Sequence, residues 1–148
     1  MRETLFPKYK ILYADDDEDD RQLLQEVFAD YSPHLEIICF ENGAAIIDYL
    51  HALPSHAQTP CLVILDINMP LVNGKDVLKN MRSIERFANT PVVLFTTSAQ
   101  LKDKQFAEQH NAGFITKPID AEQLRTIAEI FVDHCADEVK KNILAINS

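Results

Sequence analysis

Basic residues are scarce in this chain of 148 residues, in which lysine and arginine together number 14. Aspartate and glutamate number 23, so the formal net charge is −9, and the basic residues form no run. A surface that binds nucleic acid needs a basic patch to pair with phosphate groups. The composition therefore predicts no nucleic-acid partner.

Long apolar segments are also absent. Residues 1–10 contain none long enough for a signal peptide, and no segment is long enough to cross a bilayer. We therefore expect no membrane partner and a cytoplasmic location. The composition, 47% hydrophobic and 25% charged, is that of one globular domain large enough to bury a core.

Cysteine is too sparse for a disulfide framework. The three cysteines, an odd number, lie in apolar segments at positions 39, 61 and 135. This placement predicts buried thiols in a reducing compartment. The five histidines share no spacing typical of metal ligands, which indicates ordinary surface or packing positions.

Strand-like and helix-like segments alternate regularly along the chain. Short apolar segments predict strands at 10–14, 35–40, 61–65, 91–96 and 114–116. Each is followed by residues with the apolar spacing of a helix, beginning near positions 19, 43, 74, 101 and 120. Because parallel strands need a crossover helix, these units imply an α/β fold with a doubly wound, five-stranded parallel sheet and helices on both faces.

One domain accounts for most of the sequence. We expect an N-terminal arm at 1–9, the domain at 10–135, and a C-terminal helical extension or tail at 136–148. In this last segment Val139, Ile143 and Ile146 continue the apolar stripe of the fifth helix. The stripe fits either a frayed tail or a helix that packs on the domain or on a second copy, forming a homodimer.

Polar residues follow the predicted strands at the point where each strand ends. Asp66 directly follows the third strand, and Asp15 and Asp16 follow the first. Thr96 ends the fourth strand and Lys117 follows the fifth. Because the carboxyl ends of parallel strands meet at one edge of a sheet, we expect these side chains to surround Asp66.

Electrostatics indicates what such a cluster binds. Two carboxylates about 4 Å apart repel by roughly 4 kcal/mol at an effective dielectric constant of about 20, so three acids together favour a bound cation. An all-oxygen site suits Mg²⁺, which also accepts water and a phosphate group. A phosphoryl group on Asp66 would bring about two negative charges, which Lys117 and the Thr96 hydroxyl can pair with. The pattern predicts phosphoryl transfer to an aspartate.

The chain resembles the receiver domains of two-component response regulators. The resemblance covers residues 9 to about 134 and rests on motifs in the family's order and spacing. These are Ile-Leu-Tyr-Ala-Asp15-Asp16, Leu65-Asp66-Ile-Asn-Met-Pro70 with Gly74, Phe95-Thr96-Thr97-Ser98, and Lys117-Pro118. The resemblance implies a flavodoxin-like receiver fold.

A cation site and a phosphoacceptor follow from the resemblance. It implies that Asp66 accepts the phosphoryl group in a reaction that depends on Mg²⁺, with Mn²⁺ as a substitute. Asp15, Asp16, Asp66 and the backbone carbonyl of Asn68 are the implied metal ligands. Asn68 and Ser98 occupy the positions expected to tune the lifetime of the phosphoryl group.

The resemblance also implies residues that respond to phosphorylation. The resemblance implies that Thr96 moves toward the phosphoryl group and that Lys117 neutralises it. The bond between Lys117 and Pro118 is expected to be cis, which an X–Pro bond tolerates. Phe114 occupies the family's aromatic switch position; as a phenylalanine without a hydroxyl, it either switches by packing alone or is a plain core aromatic.

The implied partners are proteins. A sensor histidine kinase or a histidine phosphotransfer protein would donate the phosphoryl group, and the chain would catalyse only its own phosphorylation and slow dephosphorylation. Only about 13 residues follow the fifth helix, so we expect a stand-alone receiver that signals to an output protein by contact. The helix at 101–110 has few apolar residues, which indicates light packing or a face for a partner.

A phosphatase of the haloacid-dehalogenase type is an alternative interpretation. There Asp15 would be the nucleophile and Asp17 the acid, with Thr96 and Lys117 assisting. This alternative leaves the motif around Asp66 unexplained, lacks an acid pair downstream of the lysine, and has no room for a cap.

A calcium-binding EF-hand loop is a second alternative. Asp15, Asp17, Asp19 and Glu26 match four of its ligand positions. Asp20, however, stands where the loop requires glycine, and the preceding segment predicts a strand rather than a helix.

Overall fold

The computed structural model describes residues 8–117 and 120–147, apart from the side chains of 121, 125 and 145–147. Its strands are β1 (Tyr9–Ala14), β2 (Leu35–Phe40), β3 (Leu62–Leu65), β4 (Val92–Thr96) and β5 (Gly113–Thr116). Within the described residues they form one five-stranded sheet in the order β2-β1-β3-β4-β5, with every neighbouring pair parallel. The predicted doubly wound α/β fold is confirmed.

Helices cover both faces of the sheet. They are α1 (Glu18–Tyr31), α2 (Gly43–Ala52), α3 (Gly74–Arg82), α4 (Leu101–Gln109), α5 (Ala121–Val132) and α6 (Asp137–Asn147). A short 3₁₀ turn at Glu85–Phe87 precedes β4. The strand bounds agree with the predicted ones to within a residue; β1 begins at Tyr9, one residue earlier than expected, and β3 at Leu62, one residue later.

Four helices begin with a side-chain cap. Asp17, Asn42, Asn73 and Asp120 each accept a hydrogen bond from the backbone N–H three residues further on. Such caps stabilise a helix by about 1 kcal/mol each. The cap at Asp17 follows β1 closely, so the first turn of α1 is fixed beside the carboxyl edge of the sheet.

The core has two layers because successive residues of a strand point to opposite faces of the sheet. On β1, Ile11 and Tyr13 face α1 and α5, whereas Leu12 and Ala14 face α2 and α3. All four side chains are fully buried. Burial on both faces makes β1 and β3 a rigid base for the residues that follow them.

The C-terminal segment continues the fold as α6. Ile143 is fully buried in the layer that holds α1 and α5, and Val139 packs against the same layer. Nδ2 of Asn142 donates a hydrogen bond to the hydroxyl of Tyr9 at 2.7 Å. The described part of the apolar stripe therefore packs on the domain of the same chain, and the predicted homodimer stays a prediction. The side chain of Ile146 lies outside the described part.

The cysteines are free thiols, and two of them, Cys61 and Cys135, are buried. Cys39 is partly exposed, contrary to its predicted burial, because β2 lies at the edge of the sheet. Among the described residues, no helix has both the length and the apolar character needed to cross a bilayer.

Candidate functional site

The end of β1 places two acids in different surroundings. Asp15 is fully buried, whereas Asp16, the next residue, is exposed. Oδ1 of Asp15 accepts the backbone N–H of Asp17 at 2.9 Å, and Oδ2 accepts the hydroxyl of Tyr13 at 2.5 Å. The Asp15 carboxylate is therefore held in one orientation by its own strand and loop.

Asp66 stands at the adjacent strand end. Its backbone N–H donates to the carbonyl of Ala14 at 3.0 Å, and its side chain is nearly buried, with a residue exposure of 8%. The first residue of α3, Gly74, packs directly on this point, since a Cβ there would lie 2.1 Å from the Asp66 carbonyl oxygen. Gly74 thus permits a close approach of α3, and the left-handed backbone conformation in the preceding loop occurs at Leu71, which has a φ of 69°.

Three carboxylates converge as the sequence predicted. One oxygen from each of Asp15, Asp16 and Asp66 lies within 4.8 Å of the other two. Hard oxygen donors on rigid strand ends fit Mg²⁺ or Mn²⁺. Asn68 lies two residues beyond Asp66 in the loop before α3, where it is exposed.

Lys117 binds this cluster from the end of β5. Its Nζ lies 2.5 Å from Oδ2 of Asp15, 2.8 Å from Oδ2 of Asp20 and 3.2 Å from Oδ2 of Asp66. Burial lowers the pKa of Lys117, but the hydrogen bonds to Asp15 and Asp20 outweigh it, so the pKa is raised above its usual range. Lys117 is therefore a fixed positive charge among carboxylates.

The pKa of Asp66 is raised above its usual range. Burial is the main cause, and the charge of Asp15 adds to it. The nearby Lys117 ammonium and a hydrogen bond with the Thr96 hydroxyl lower the pKa but offset only part of this effect. A cation at these acids would favour the ionised form of Asp66.

Thr96 is the fully buried last residue of β4. Its hydroxyl interacts with Asp66 and also accepts the backbone N–H of Ser98 at 3.3 Å. The predicted hydroxyl therefore lies beside the predicted acceptor. Its link to Ser98 connects Asp66 to the loop that leads into α4.

An ion pair holds α4 beside the site, and sequence reasoning missed it. Asp103, one of the two buried residues of α4, accepts a hydrogen bond from the Ser98 hydroxyl and pairs with Lys75 of α3. These hydrogen bonds, that from Lys75 foremost, hold the pKa of Asp103 below its usual range. A recess of about 450 Å³ next to them is lined by both Asn68 and Ser98, the two predicted lifetime positions.

Tyr13 is another contact that the sequence did not reveal. It lies inside an apolar strand, which predicts a plain core residue. Burial raises the pKa of Tyr13, and the hydrogen bond to Asp15 raises it further, so the hydroxyl remains a neutral donor. The strand period of two places Tyr13 and Asp15 on the same side of β1, and this spacing is the signal that could have indicated the contact.

The structure describes the predicted switch residue Phe114 but not the peptide bond between Lys117 and Pro118. Phe114 on β5 is half-buried and packs against the layer that includes α3 and α4. Pro118 lies outside the described residues, so the predicted cis bond after Lys117 stays a prediction.

The sheet order and the acids at its carboxyl edge define a class of protein: a flavodoxin-like α/β domain with a charged site at the ends of β1, β3, β4 and β5. Residues 11–129 match the family described as the response regulator receiver domain. The chain therefore belongs to the receiver family of two-component systems, as its motifs indicated. The membership leaves the haloacid-dehalogenase and EF-hand alternatives without support.

Known relatives include both short and long proteins. The chemotaxis protein CheY-3 of Vibrio cholerae is 33% identical over 129 residues, which cover 84% of this chain and 92% of the relative. In several longer relatives the matched segment spans only 24% to 34% of the protein.

Solved structures agree with the fold. The phosphorylated cyanobacterial phytochrome response regulator RcpA has a TM-score of 0.75 at 26% identity, covering 86% of this chain and 96% of that one. The Mn²⁺-bound form of response regulator Rcp1 has a TM-score of 0.74 at 25% identity, covering 84% of this chain and 92% of that one.

Proposed function

We propose that this chain is a phosphorylation-controlled receiver in which Asp66 is the phosphoacceptor. The observation that carries the proposal is the setting of Asp66: a nearly buried carboxylate that meets two further acids, a lysine ammonium and a threonine hydroxyl. The donor is a phosphohistidine of a sensor histidine kinase or of a phosphotransfer protein, the usual source for this family.

The reaction is a displacement at phosphorus. An oxygen of Asp66 attacks the phosphorus of the donor, the phosphorus–nitrogen bond breaks, and its electron pair stays on the imidazole, which takes up a proton. Lys117 and the Thr96 hydroxyl then pair with the phosphoryl oxygens. Positioning and charge neutralisation suffice, so we propose no turnover beyond self-phosphorylation and slow dephosphorylation.

A divalent cation completes the proposed site. Asp15, Asp16 and Asp66 together with the backbone carbonyl of Asn68 would hold Mg²⁺, or Mn²⁺ in its place. The support is the all-oxygen donor set and the Mn²⁺-bound form of the related Rcp1. When bound, the cation offsets the negative charge of the phosphoryl group.

The proposed output is a change of protein contacts in the cytoplasm. Movement of Thr96 toward the phosphoryl group would pull on the loop at Ser98 and so on α4, with Phe114 repacking beneath it. The face formed by α4, β5 and α5 would then bind an output protein. The sparse apolar packing of α4, whose buried residues are Asp103 and Ala107, supports this direction of change.

Intact-protein mass spectrometry tests the proposal. After incubation with Mg²⁺ and a small acyl phosphate, we expect one phosphoryl adduct on the wild type and none on Asp66→Asn. An adduct that persists in Asp66→Asn but disappears in Asp15→Asn would instead favour the phosphatase chemistry.

A further inference from the structure

Lys117 has a partner that neither the motifs nor the resemblance assigned. Asp20, on the first turn of α1, approaches Nζ to 2.8 Å, closer than Asp66 at 3.2 Å. The Asp20 side chain is 31% exposed, whereas that of Asp15 is fully buried. Asp20 thus holds the ammonium group from the solvent side of the site.

The three carboxylates use the whole donor capacity of the lysine. An ammonium group has three N–H donors, and Asp15, Asp20 and Asp66 supply one acceptor each. A phosphoryl oxygen on Asp66 can pair with Lys117 only if one of these contacts is released. Asp20 is the partner that water can solvate most readily after release, because it is the most exposed of the three.

We propose that Asp20 is a positioning residue that holds Lys117 in the unphosphorylated site and opposes phosphorylation. This inference rests on the proposed function of Asp66. Asp20 competes with the phosphoryl group for one N–H of Lys117, and its negative charge also repels the group. The chain would therefore stay unphosphorylated until a donor and a cation together outweigh this contact.

Binding of a phosphoryl analogue tests the competition. Beryllofluoride is titrated in saturating Mg²⁺, followed by backbone NMR, into the wild type, Asp20→Ala and Asp19→Ala. Asp19 is the matched control, since it is an exposed acid on the same helical turn. We expect Asp20→Ala to bind beryllofluoride roughly fivefold to tenfold more tightly and Asp19→Ala to change affinity by less than about twofold.

A second measurement separates positioning from a general charge effect. The side-chain ammonium protons of Lys117 are observed in ¹⁵N-lysine-labelled protein without beryllofluoride. Their exchange with water should be about threefold faster in Asp20→Ala, because one donor is freed, and unchanged in Asp19→Ala.

Unchanged affinity or unchanged ammonium exchange in Asp20→Ala would overturn the inference, provided that circular dichroism shows a folded variant. If the wild type fails to bind beryllofluoride at all, the proposed function of Asp66 falls and this inference with it. A wild type that binds alongside an unaffected Asp20→Ala overturns the role of Asp20 alone.

Discussion

Asp15 shows how much of the site is decided by single side chains. Its Oδ2 accepts both the Tyr13 hydroxyl and the Lys117 ammonium, each at 2.5 Å, and the carboxylate has no exposure to solvent. A buried carboxylate is tolerated only when its lone pairs are satisfied. The Tyr13 hydroxyl is thus one of the donors that satisfy the buried Asp15 carboxylate.

Replacing Tyr13 with phenylalanine tests this contact, because the ring is kept and only the donor is lost. We expect Tyr13→Phe to lower the free energy of unfolding by about 1.5–3 kcal/mol, the range for a hydrogen bond to a charged group. Urea unfolding without divalent cations measures it. Tyr49→Phe, on the outer helix α2, is the control and should change stability by less than about 0.5 kcal/mol. Equal effects of the two changes would contradict the account.

At the scale of elements, α4 is held by an ion pair and by a small apolar contact with the core. Its buried residues are Asp103 and Ala107, and Leu101 at its start is exposed. Asp103 links the helix to Lys75 of α3 and to Ser98 of the preceding loop. An element held by a few polar contacts can shift as a unit when one of them changes, whereas a helix with a large apolar face cannot.

Loss of the Asp103 charge should therefore loosen α4 selectively. We expect Asp103→Asn to speed amide hydrogen exchange in Leu101–Gln109 by about tenfold, because the ion pair with Lys75 is lost. Hydrogen exchange with mass spectrometry measures it. Glu108→Gln makes the same change of charge at an exposed position of the same helix and should leave the exchange rates unaltered. Unchanged protection of α4 in Asp103→Asn would show that the ion pair does not hold the helix.

At the scale of the whole molecule, α6 belongs to the same fold as the sheet. Ile143 is fully buried in the core layer of α1 and α5, whereas its neighbour Leu144 is 59% exposed. Asn142 donates a hydrogen bond to Tyr9 at the amino end of β1, whereas the site residue Asp15 follows the carboxyl end of the same strand. The helix therefore stabilises the end of the sheet opposite the candidate site.

Two adjacent alanine substitutions test the role of α6. Ile143→Ala should lower the free energy of unfolding by about 2–4 kcal/mol, since it leaves a cavity in the core. Leu144→Ala, one residue away and exposed, should cost less than about 0.5 kcal/mol. Thermal or urea unfolding of both variants gives the comparison. If both substitutions are equally mild, α6 is not a stable part of the fold in solution.

The sequence predicted features set by the local chain better than features set by distant contacts. Asp15, Asp66, Thr96 and Lys117 each lie at the end of an apolar segment that predicts a strand. Their proximity could be predicted because parallel strands bring their carboxyl ends to one edge of the sheet. The contact between Asp20 and Lys117 joins residues 97 positions apart, so no local pattern in the sequence indicates it.

The C-terminal stripe shows a second limit of sequence reasoning. The spacing of Val139 and Ile143 fits a helix that packs on the domain, a helix that packs on a second copy, or a frayed tail. Periodicity identifies an apolar face but does not show what the face packs against. Only the three-dimensional arrangement shows Ile143 in the core. Asp103 illustrates the converse, since a polar residue on a weakly apolar helix gives no signal that it is buried.

The central claim, that Asp66 accepts the phosphoryl group, is tested most directly by locating the modified residue. After incubation with Mg²⁺ and acetyl phosphate, borohydride reduction converts an aspartyl phosphate into homoserine, which peptide mass spectrometry places in the sequence. We predict homoserine at position 66 and an unmodified Asp15. Homoserine at position 15, or an adduct on the intact protein with position 66 unmodified, would contradict the account.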